Sequence, residues 1–168
     1  MDIEELVKEC KRQEESCAYT AAGLYEWQKR ASKWRTGFII TPIILSGAAS
    51  IIAIGDPNDF LKLISTALVI LSGFFPAIYV SLGMDMRVRE ITTSAVEFTN
   101  LRDRFRQLAN LGKDSEVETV TATFEQLMDR MDSARTNSPP LPTKFFSIAQ
   151  RDIRKGNYSF RVDEVNKR

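Results

Sequence analysis

Two long stretches without a charged residue, Thr36–Gly55 and Leu63–Met84, lie only seven residues apart. They contain 20 and 22 residues, and a helix of about 20 residues spans the ~30 Å hydrocarbon core of a bilayer. The connection is too short for anything but a tight turn between antiparallel helices. A buried hairpin in a soluble bundle is the alternative, but a soluble helix normally shows a polar stripe. The sequence therefore predicts a transmembrane helical hairpin.

Basic residues surround this hairpin on one side. They precede the first stretch and follow the second, at Lys29, Arg30, Lys33, Arg35, Arg87 and Arg89. The connection carries Asp56, Asp59 and a single Lys62. By the positive-inside rule, this asymmetry predicts that both chain ends are cytoplasmic and that the connection lies outside. The basic side chains also suit anionic lipid headgroups.

Residues 1–35 are predicted to form a cytoplasmic amphipathic helix that continues into the first span as far as about Ile54. Its seam recurs at seven-residue intervals, with one line of small or apolar residues at Ile3, Cys10, Cys17, Leu24 and Ala31. The partner line is Leu6, Gln13, Thr20, Trp27 and Trp34, in which Gln13 and Thr20 weaken the coiled-coil pattern. The second span is likewise expected to continue without a break into the cytoplasm, ending near Gly112. Apolar residues recur there every three or four positions at Val88, Ile91, Ala95, Phe98, Leu101, Phe105 and Leu108. The two stripes predict an association along a stalk through Leu24, Ile91, Phe98 and Phe105.

Local signals predict where the remaining helices begin and end. We expect Gly55 to take a left-handed C-cap, and Asp56 with Pro57 to start the second span. Ser115 and Glu118 form a capping-box pattern for a third cytoplasmic helix within residues 85–136. In residues 137–168, the segment Asn137–Pro142 is a proline-rich break, Thr143 is expected to cap a short helix, and Gly156 to end it. The predicted fold is an all-α membrane protein: a two-helix transmembrane hairpin with long cytoplasmic extensions and two additional C-terminal helices.

The chain lacks the residues that most common types of catalytic site require. The chain has no histidine, which excludes Ser-His-Asp, Cys-His and HExxH sites, and its glycines form no nucleotide-binding loop. We therefore expect no enzyme, no catalytic or metal residue and no cofactor. Cys10 and Cys17 are expected to be buried apolar side chains, with a redox or metal pair as the alternative. Phosphate contact is a hypothesis for Arg102, Arg104 and Arg106, against a salt-bridged helix surface.

Small and hydroxyl-bearing residues occur within both apolar stretches. Such residues line a pore between several copies or allow close helix packing, and the candidates are Thr41, Ser46, Ser50, Thr66, Ser72, Gly73 and Ala77. Pro42 and Pro76 lie inside the spans, where proline kinks a helix and frees a carbonyl group. One hairpin cannot enclose a conduit, so a pore requires an oligomer.

The order of these segments resembles the SLATT family, the two-transmembrane effector domains associated with SMODS and SLOG proteins. The resemblance covers nearly the whole chain. It rests on the charged helix with Cys17-Ala-Tyr-Thr-Ala and Tyr25-Glu-Trp27, the membrane pair, and the C-terminal run Pro139-Pro-Leu-Pro142, Lys144-Phe-Phe-Ser-Ile-Ala-Gln-Arg-Asp-Ile153 and Gly156-Asn-Tyr158.

The resemblance implies an oligomeric effector in the bacterial inner membrane that forms a pore or disrupts the membrane in an anti-phage system. Its implied partners are the lipid bilayer, further copies of the chain, and a nucleotide second messenger or a separate sensor protein as trigger; no nucleic acid is expected. The alternative is a non-conducting anchor or scaffold that recruits a soluble partner through its cytoplasmic helices.

Overall fold

The computed structural model describes residues 2–55, 58–112 and 116–156, and these form five α-helices. The helices are α1 (Ile3–Ile54), α2 (Asp59–Ser81), α3 (Met84–Leu111), α4 (Val117–Asn137) and α5 (Thr143–Arg154). The prediction of an all-α fold is confirmed. The chain divides into two units: the helical bundle, Met1–Gln28 with Glu90–Arg168, and the hairpin unit, Lys29–Arg89.

The first helix is as long as its sequence pattern predicts. It runs for 52 residues without interruption and includes Pro42. The Asp2 carboxylate accepts a hydrogen bond of 2.7 Å from the Ile3 amide, and acidic residues in the first turn complement the helix dipole. One continuous helix therefore contributes to both units.

The second span does not run on into the next helix, contrary to the sequence-based expectation. Gly83 adopts φ 57°, and its amide donates to the Val80 carbonyl at 3.0 Å, which closes the end of α2. A left-handed residue cannot continue a right-handed helix, and glycine takes this conformation without a steric cost. The break separates α2 from α3, and the Arg87 amide donates back to the Gly83 carbonyl in the first turn of α3.

The turn between the spans is also capped differently from the prediction. Asn58 is the N-cap of α2, and its side chain accepts from the Leu61 amide at 3.0 Å. The α2 helix therefore begins at Asp59, four residues before the uncharged stretch. Gly55 is not among the glycines with positive φ, so the expected left-handed cap is wrong; Asp56 and Pro57 lie outside the described residues.

The core of the helical bundle is built from the apolar stripes of α1, α3 and α4. The largest fully buried side chains are Phe105, Leu6, Leu24, Ile91, Leu101, Met131, Cys10 and Cys17. Phe105 meets Phe124 edge to face, with ring centroids 6.0 Å apart. The predicted association residues Leu24, Ile91, Phe98 and Phe105 are therefore all buried within a single chain.

The shortest helix, α5, packs on α1 through aromatic rings. Trp27 stacks on Phe145 at 6.2 Å, and Tyr19 meets Phe146 at 6.3 Å. The helix starts after Pro142, which has no side-chain cap bond. Thr143 is therefore the first helical residue and not the cap, because Pro142, with an extended backbone at ψ 135°, takes the N-cap position. The end near Gly156 is confirmed, with φ 80° at this glycine.

The start of α4 lacks the predicted capping box in the described residues. Its N-cap is Glu116, which makes no side-chain cap bond, while Ser115 lies outside the described residues. Residues 138–142 after α4 are non-helical as predicted, whereas Asn137 still belongs to the helix. Leu141 from this segment packs on α1. An ideal Cβ at Gly23 would lie 2.7 Å from Leu141 Cδ2, so the absence of a side chain at Gly23 allows this close approach.

Candidate functional site

The hairpin unit has a large exposed apolar surface. Two helices, α1 and α2, are long and apolar enough to cross a membrane. No residue of α2 is buried, and Ile51, Ile54 and Val80 are 74%, 86% and 75% exposed. A core helix of a soluble protein would bury such side chains, since each is worth ~1.5–3 kcal/mol when removed from water.

The two spans touch at a small-residue contact. Ala49 is 1% exposed, and the Ser65 hydroxyl donates to the Ala49 carbonyl at 3.1 Å. Phe38 and Phe75 form a second contact, with ring centroids 5.9 Å apart. The sequence pattern identified small residues as packing sites, but it missed Ser65. The sequence does not show whether a serine hydroxyl donates to a carbonyl of its own helix or to one of a neighbouring helix, because that depends on how the helices pack.

Most of the predicted pore-lining or packing residues are open within one chain. The hydroxyls of Ser46, Ser50, Thr66 and Ser72 each donate to a carbonyl of their own helix at 2.8–3.0 Å. An ideal Cβ at Gly73 meets nothing within 4 Å, and Ala77 is exposed while Thr41 is half-buried. These side chains are therefore not enclosed by other parts of the chain.

A groove of about 440 Å³ lies between α1 and α2. Its lining is Phe38, Ile39, Pro42, Ile43, Ser46, Ser72, Pro76 and Tyr79. Because proline has no amide hydrogen, Pro42 and Pro76 deprive the carbonyls of Phe38 and Ser72 of their regular helical donors. Both prolines and both of these residues line the same groove, which we call the interspan groove.

A polar cluster closes the open end of the hairpin. Arg35 Nε donates to Asp85 Oδ1 at 2.6 Å and to the Tyr79 hydroxyl at 3.3 Å. The pKa of Asp85 lies below its usual value because of its hydrogen bond with Tyr79, its pairing with Arg35 and the nearby charge of Arg89. A second cavity of about 640 Å³, the basic notch, is lined by Arg35, Asp85, Met86, Val88 and Arg89.

The three arginines considered for phosphate contact do not converge. Arg102 bonds to Asp103 at 2.6 Å, and Arg106 faces Glu14 of α1 at 3.9 Å. Arg104 lines a groove that it shares with Arg130 of α4. Positions 102 and 106 are one turn apart and share a face, whereas position 104 points away from them.

Arg130 itself is held by a bidentate ion pair across α3 and α4. Its Nε and Nη2 donate to the two carboxylate oxygens of Glu97 at 2.6 and 3.0 Å. These bonds lower the pKa of Glu97, whose side chain is half-buried. The pair was not identified from the sequence, because residues 33 positions apart become neighbours only when α3 packs on α4.

The two cysteines are buried in the helical bundle. Cys10 is 0% exposed and Cys17 is 1% exposed, and the Cys17 thiol contacts the Met131 sulfur at 3.8 Å. Burial raises the pKa of each thiol to about 11. Within the described part of the chain, no cluster of three potential metal ligands occurs.

We expect both thiols to react slowly with alkylating reagents in the folded protein. At pH 8 a thiol of pKa about 11 holds ~100-fold less thiolate than an ordinary one, before its burial is counted. Alkylation followed by mass spectrometry, with Glu15→Cys as an exposed control on the same helix, measures this. Labelling of Cys10 and Cys17 as fast as the control would contradict the burial.

The same pKa shift predicts a pH dependence of stability. A thiol whose pKa rises on folding stabilises the fold below the pKa of the unfolded thiol, and the contribution is lost as pH rises from about 9.0 to about 11. Thermal unfolding of wild type and of a Cys10→Ala, Cys17→Ala variant across this range should show a steeper alkaline loss in wild type.

No protein-family model, curated protein or solved structure matches the chain. The exposed hairpin surface, the interspan groove and the basic notch are therefore the observations on which a function can be based.

Proposed function

We propose that this chain is an oligomeric membrane effector of the SLATT type, which permeabilises the inner membrane of a bacterium during phage infection. The observation that carries the proposal is the exposed apolar surface of α1 and α2, joined in one chain to a folded helical bundle. The apolar surface requires lipid around it. The bundle offers a folded element on which a trigger acts.

Permeation requires several copies, since two helices cannot surround an aqueous path. The open positions on the spans support association between copies. Gly73 and Ala77 are four residues apart, and such spacing lets helices approach closely in lipid. The hydroxyl groups of Ser50 and Thr66, which lie outside the interspan groove, keep a free acceptor capacity while donating to their own helices. They can therefore line a path without leaving an unsatisfied donor.

Permeation is tested directly with dye-loaded liposomes and with a membrane-potential dye in a bacterial host, before and during phage infection. The proposal expects leakage from liposomes or depolarisation of the host in at least one of these states. A chain that inserts into the membrane but gives neither result in any state would contradict the effector function. It would support the alternative of a non-conducting scaffold that recruits a soluble partner.

We place both chain ends in the cytoplasm, because the basic residues flank the spans on the side opposite to the connection. Reporter fusions after residue 168 and before residue 1 should then both report a cytoplasmic location. A fusion inserted beside Asn58 serves as the control and should report the opposite side. A periplasmic signal from either terminus would contradict this topology.

The trigger is proposed to act on the helical bundle. The groove shared by α3 and α4 is lined by Asn100, Asp103, Arg104, Gln107 and Arg130. Asp103 is paired with Arg102, so the arginines and amides of the lining suit an anionic group such as a nucleotide phosphate or an acidic partner segment. Arg130 is already paired with Glu97, so Arg104 is the residue expected to meet the trigger. Arg104→Gln should weaken the response to infection but leave insertion unchanged.

A further inference from the structure

Two features of the hairpin unit lie next to each other and differ sharply in chemistry. The interspan groove is apolar, and Tyr79 stands at one end of its lining. The Tyr79 hydroxyl accepts a hydrogen bond from Arg35, and Arg35 lines the basic notch. One residue pair thus connects an apolar groove to a cationic cavity.

The dimensions of the groove match one leaflet of a bilayer. On α1, the lining extends from Phe38 to Ser46, and Arg35 lies just before it. From Arg35 to Ser46 there are eleven residue-to-residue steps, which rise about 16 Å along a helix. Half of a ~30 Å hydrocarbon core is about the same length.

We propose that the hairpin unit holds an anionic phospholipid, with its phosphate in the basic notch between Arg35 and Arg89 and one acyl chain in the interspan groove. The proposal rests on the membrane insertion described under Proposed function. It adds a specific lipid site that neither insertion nor permeation requires.

The charge of the notch favours an anionic headgroup. Its lining carries two guanidinium groups and one carboxylate, so one positive charge remains uncompensated within the notch. Arg35 is committed to Asp85 through a 2.6 Å bond but keeps further donors, and Arg89 is exposed. A guanidinium group binds phosphate through paired hydrogen bonds. Phosphatidylglycerol and phosphatidylcholine both carry a phosphate, but the trimethylammonium group of phosphatidylcholine would bring a further positive charge close to the two arginines, so the anionic lipid is favoured.

A helix of a second copy fits this site less well. The two uncharged stretches, residues 36–55 and 63–84, offer no acidic group to the notch. Free phosphate would fill the notch but leave the apolar groove without an occupant. A phospholipid satisfies both ends, because an anionic group and an acyl chain are joined in one molecule.

Retention of lipid by the full-length protein tests the headgroup half of the site. The protein is reconstituted with an equal mixture of phosphatidylglycerol and phosphatidylcholine, extracted into mild detergent and examined by native mass spectrometry. We expect wild type to retain phosphatidylglycerol preferentially and Arg89→Gln to lose this preference about tenfold. Arg87→Gln is the matched control, because Arg87 is exposed on the same helix but does not line the notch.

Substitutions at two neighbouring isoleucines test whether an acyl chain binds in the interspan groove. Ile43 lines the groove and Ile44 does not, although their exposures of 66% and 64% are nearly equal. Ile43→Trp should lower the retention of both lipids several-fold by filling the groove, while Ile44→Trp should retain them as wild type does.

The outcomes separate the lipid site from the proposed function. Equal phosphatidylglycerol preference in Arg89→Gln and Arg87→Gln would overturn the headgroup assignment, and equal retention in Ile43→Trp and Ile44→Trp would overturn the acyl groove. Lipid retention is measured on detergent-extracted protein without any leakage assay. A failure of permeation therefore leaves this result standing, and a failure here leaves permeation untouched.

Discussion

Phe98→Asp is expected to unfold the helical bundle, whereas Val96→Asp on the same helix should leave it folded. Phe98 is 3% exposed and Val96 is 45% exposed. An aspartate at position 98 would lose the packing of a buried aromatic ring, worth ~3–5 kcal/mol, and would bury a carboxylate without a partner. The combined cost approaches the ~5–15 kcal/mol total stability of a typical domain.

Limited proteolysis and thermal unfolding of the detergent-solubilised variants measure this difference. Rapid cleavage within α3 and α4 of Phe98→Asp, with wild-type resistance in Val96→Asp, is the expected pattern. If both variants resist protease equally, Phe98 does not belong to the core of one chain. Because the side chain is buried within a single chain, any loss of permeation in Phe98→Asp reports a broken bundle and not a broken contact between copies.

Gly73→Leu is expected to reduce oligomer formation and permeation, with no effect on the fold of a single chain. An ideal Cβ at Gly73 meets nothing within 4 Å, so the new side chain has no intrachain neighbour to displace. Between copies, a bulky residue beside Ala77 would separate helices that pack through small residues. We expect roughly a tenfold weaker assembly, since such contacts are worth about 1–2 kcal/mol.

The matched control is Gly47→Leu. Gly47 also has open space around its ideal Cβ, but the residues four positions away on either side are Ile43 and Ile51, not small ones. The mass of the detergent-solubilised assembly and the rate of liposome leakage are measured for wild type and both variants. Gly73→Leu with wild-type mass and leakage would show that this helix face meets lipid and not another copy.

The sequence predicted the helical elements well, because they depend on local patterns. The seven-residue seam of α1 and the apolar repeat of α3 predicted helices whose apolar faces are now found in the bundle core. The proline-rich break and the end at Gly156 also follow from local backbone restrictions. The errors are local as well: Gly83, Asn58 and Pro142 perform roles that were assigned to other residues or overlooked. Several residue types satisfy the same cap, so the sequence does not distinguish among neighbouring candidates.

Functional positions depended more strongly on tertiary structure. Arg102, Arg104 and Arg106 are close in sequence, yet they do not converge on one site. Arg104 lines a groove together with Arg130 from another helix. Similarly, Arg35 and Asp85 are 50 positions apart, and only the hairpin brings their charges to 2.6 Å. The hydrogen bond from the Ser65 hydroxyl to the Ala49 carbonyl also joins two helices and was not predicted from the sequence.

The sequence by itself determined the class of the molecule: two uncharged stretches, each long enough for a bilayer, joined by a turn and flanked by amphipathic segments. These properties follow from residue hydrophobicity and helical periodicity, which need no knowledge of distant contacts. Only the tertiary structure decided which side chains are buried within one chain, which remain open on the spans, and where the interspan groove meets the basic notch. Each of these depends on the packing of helices that are far apart in the chain, and a linear pattern does not encode that distance.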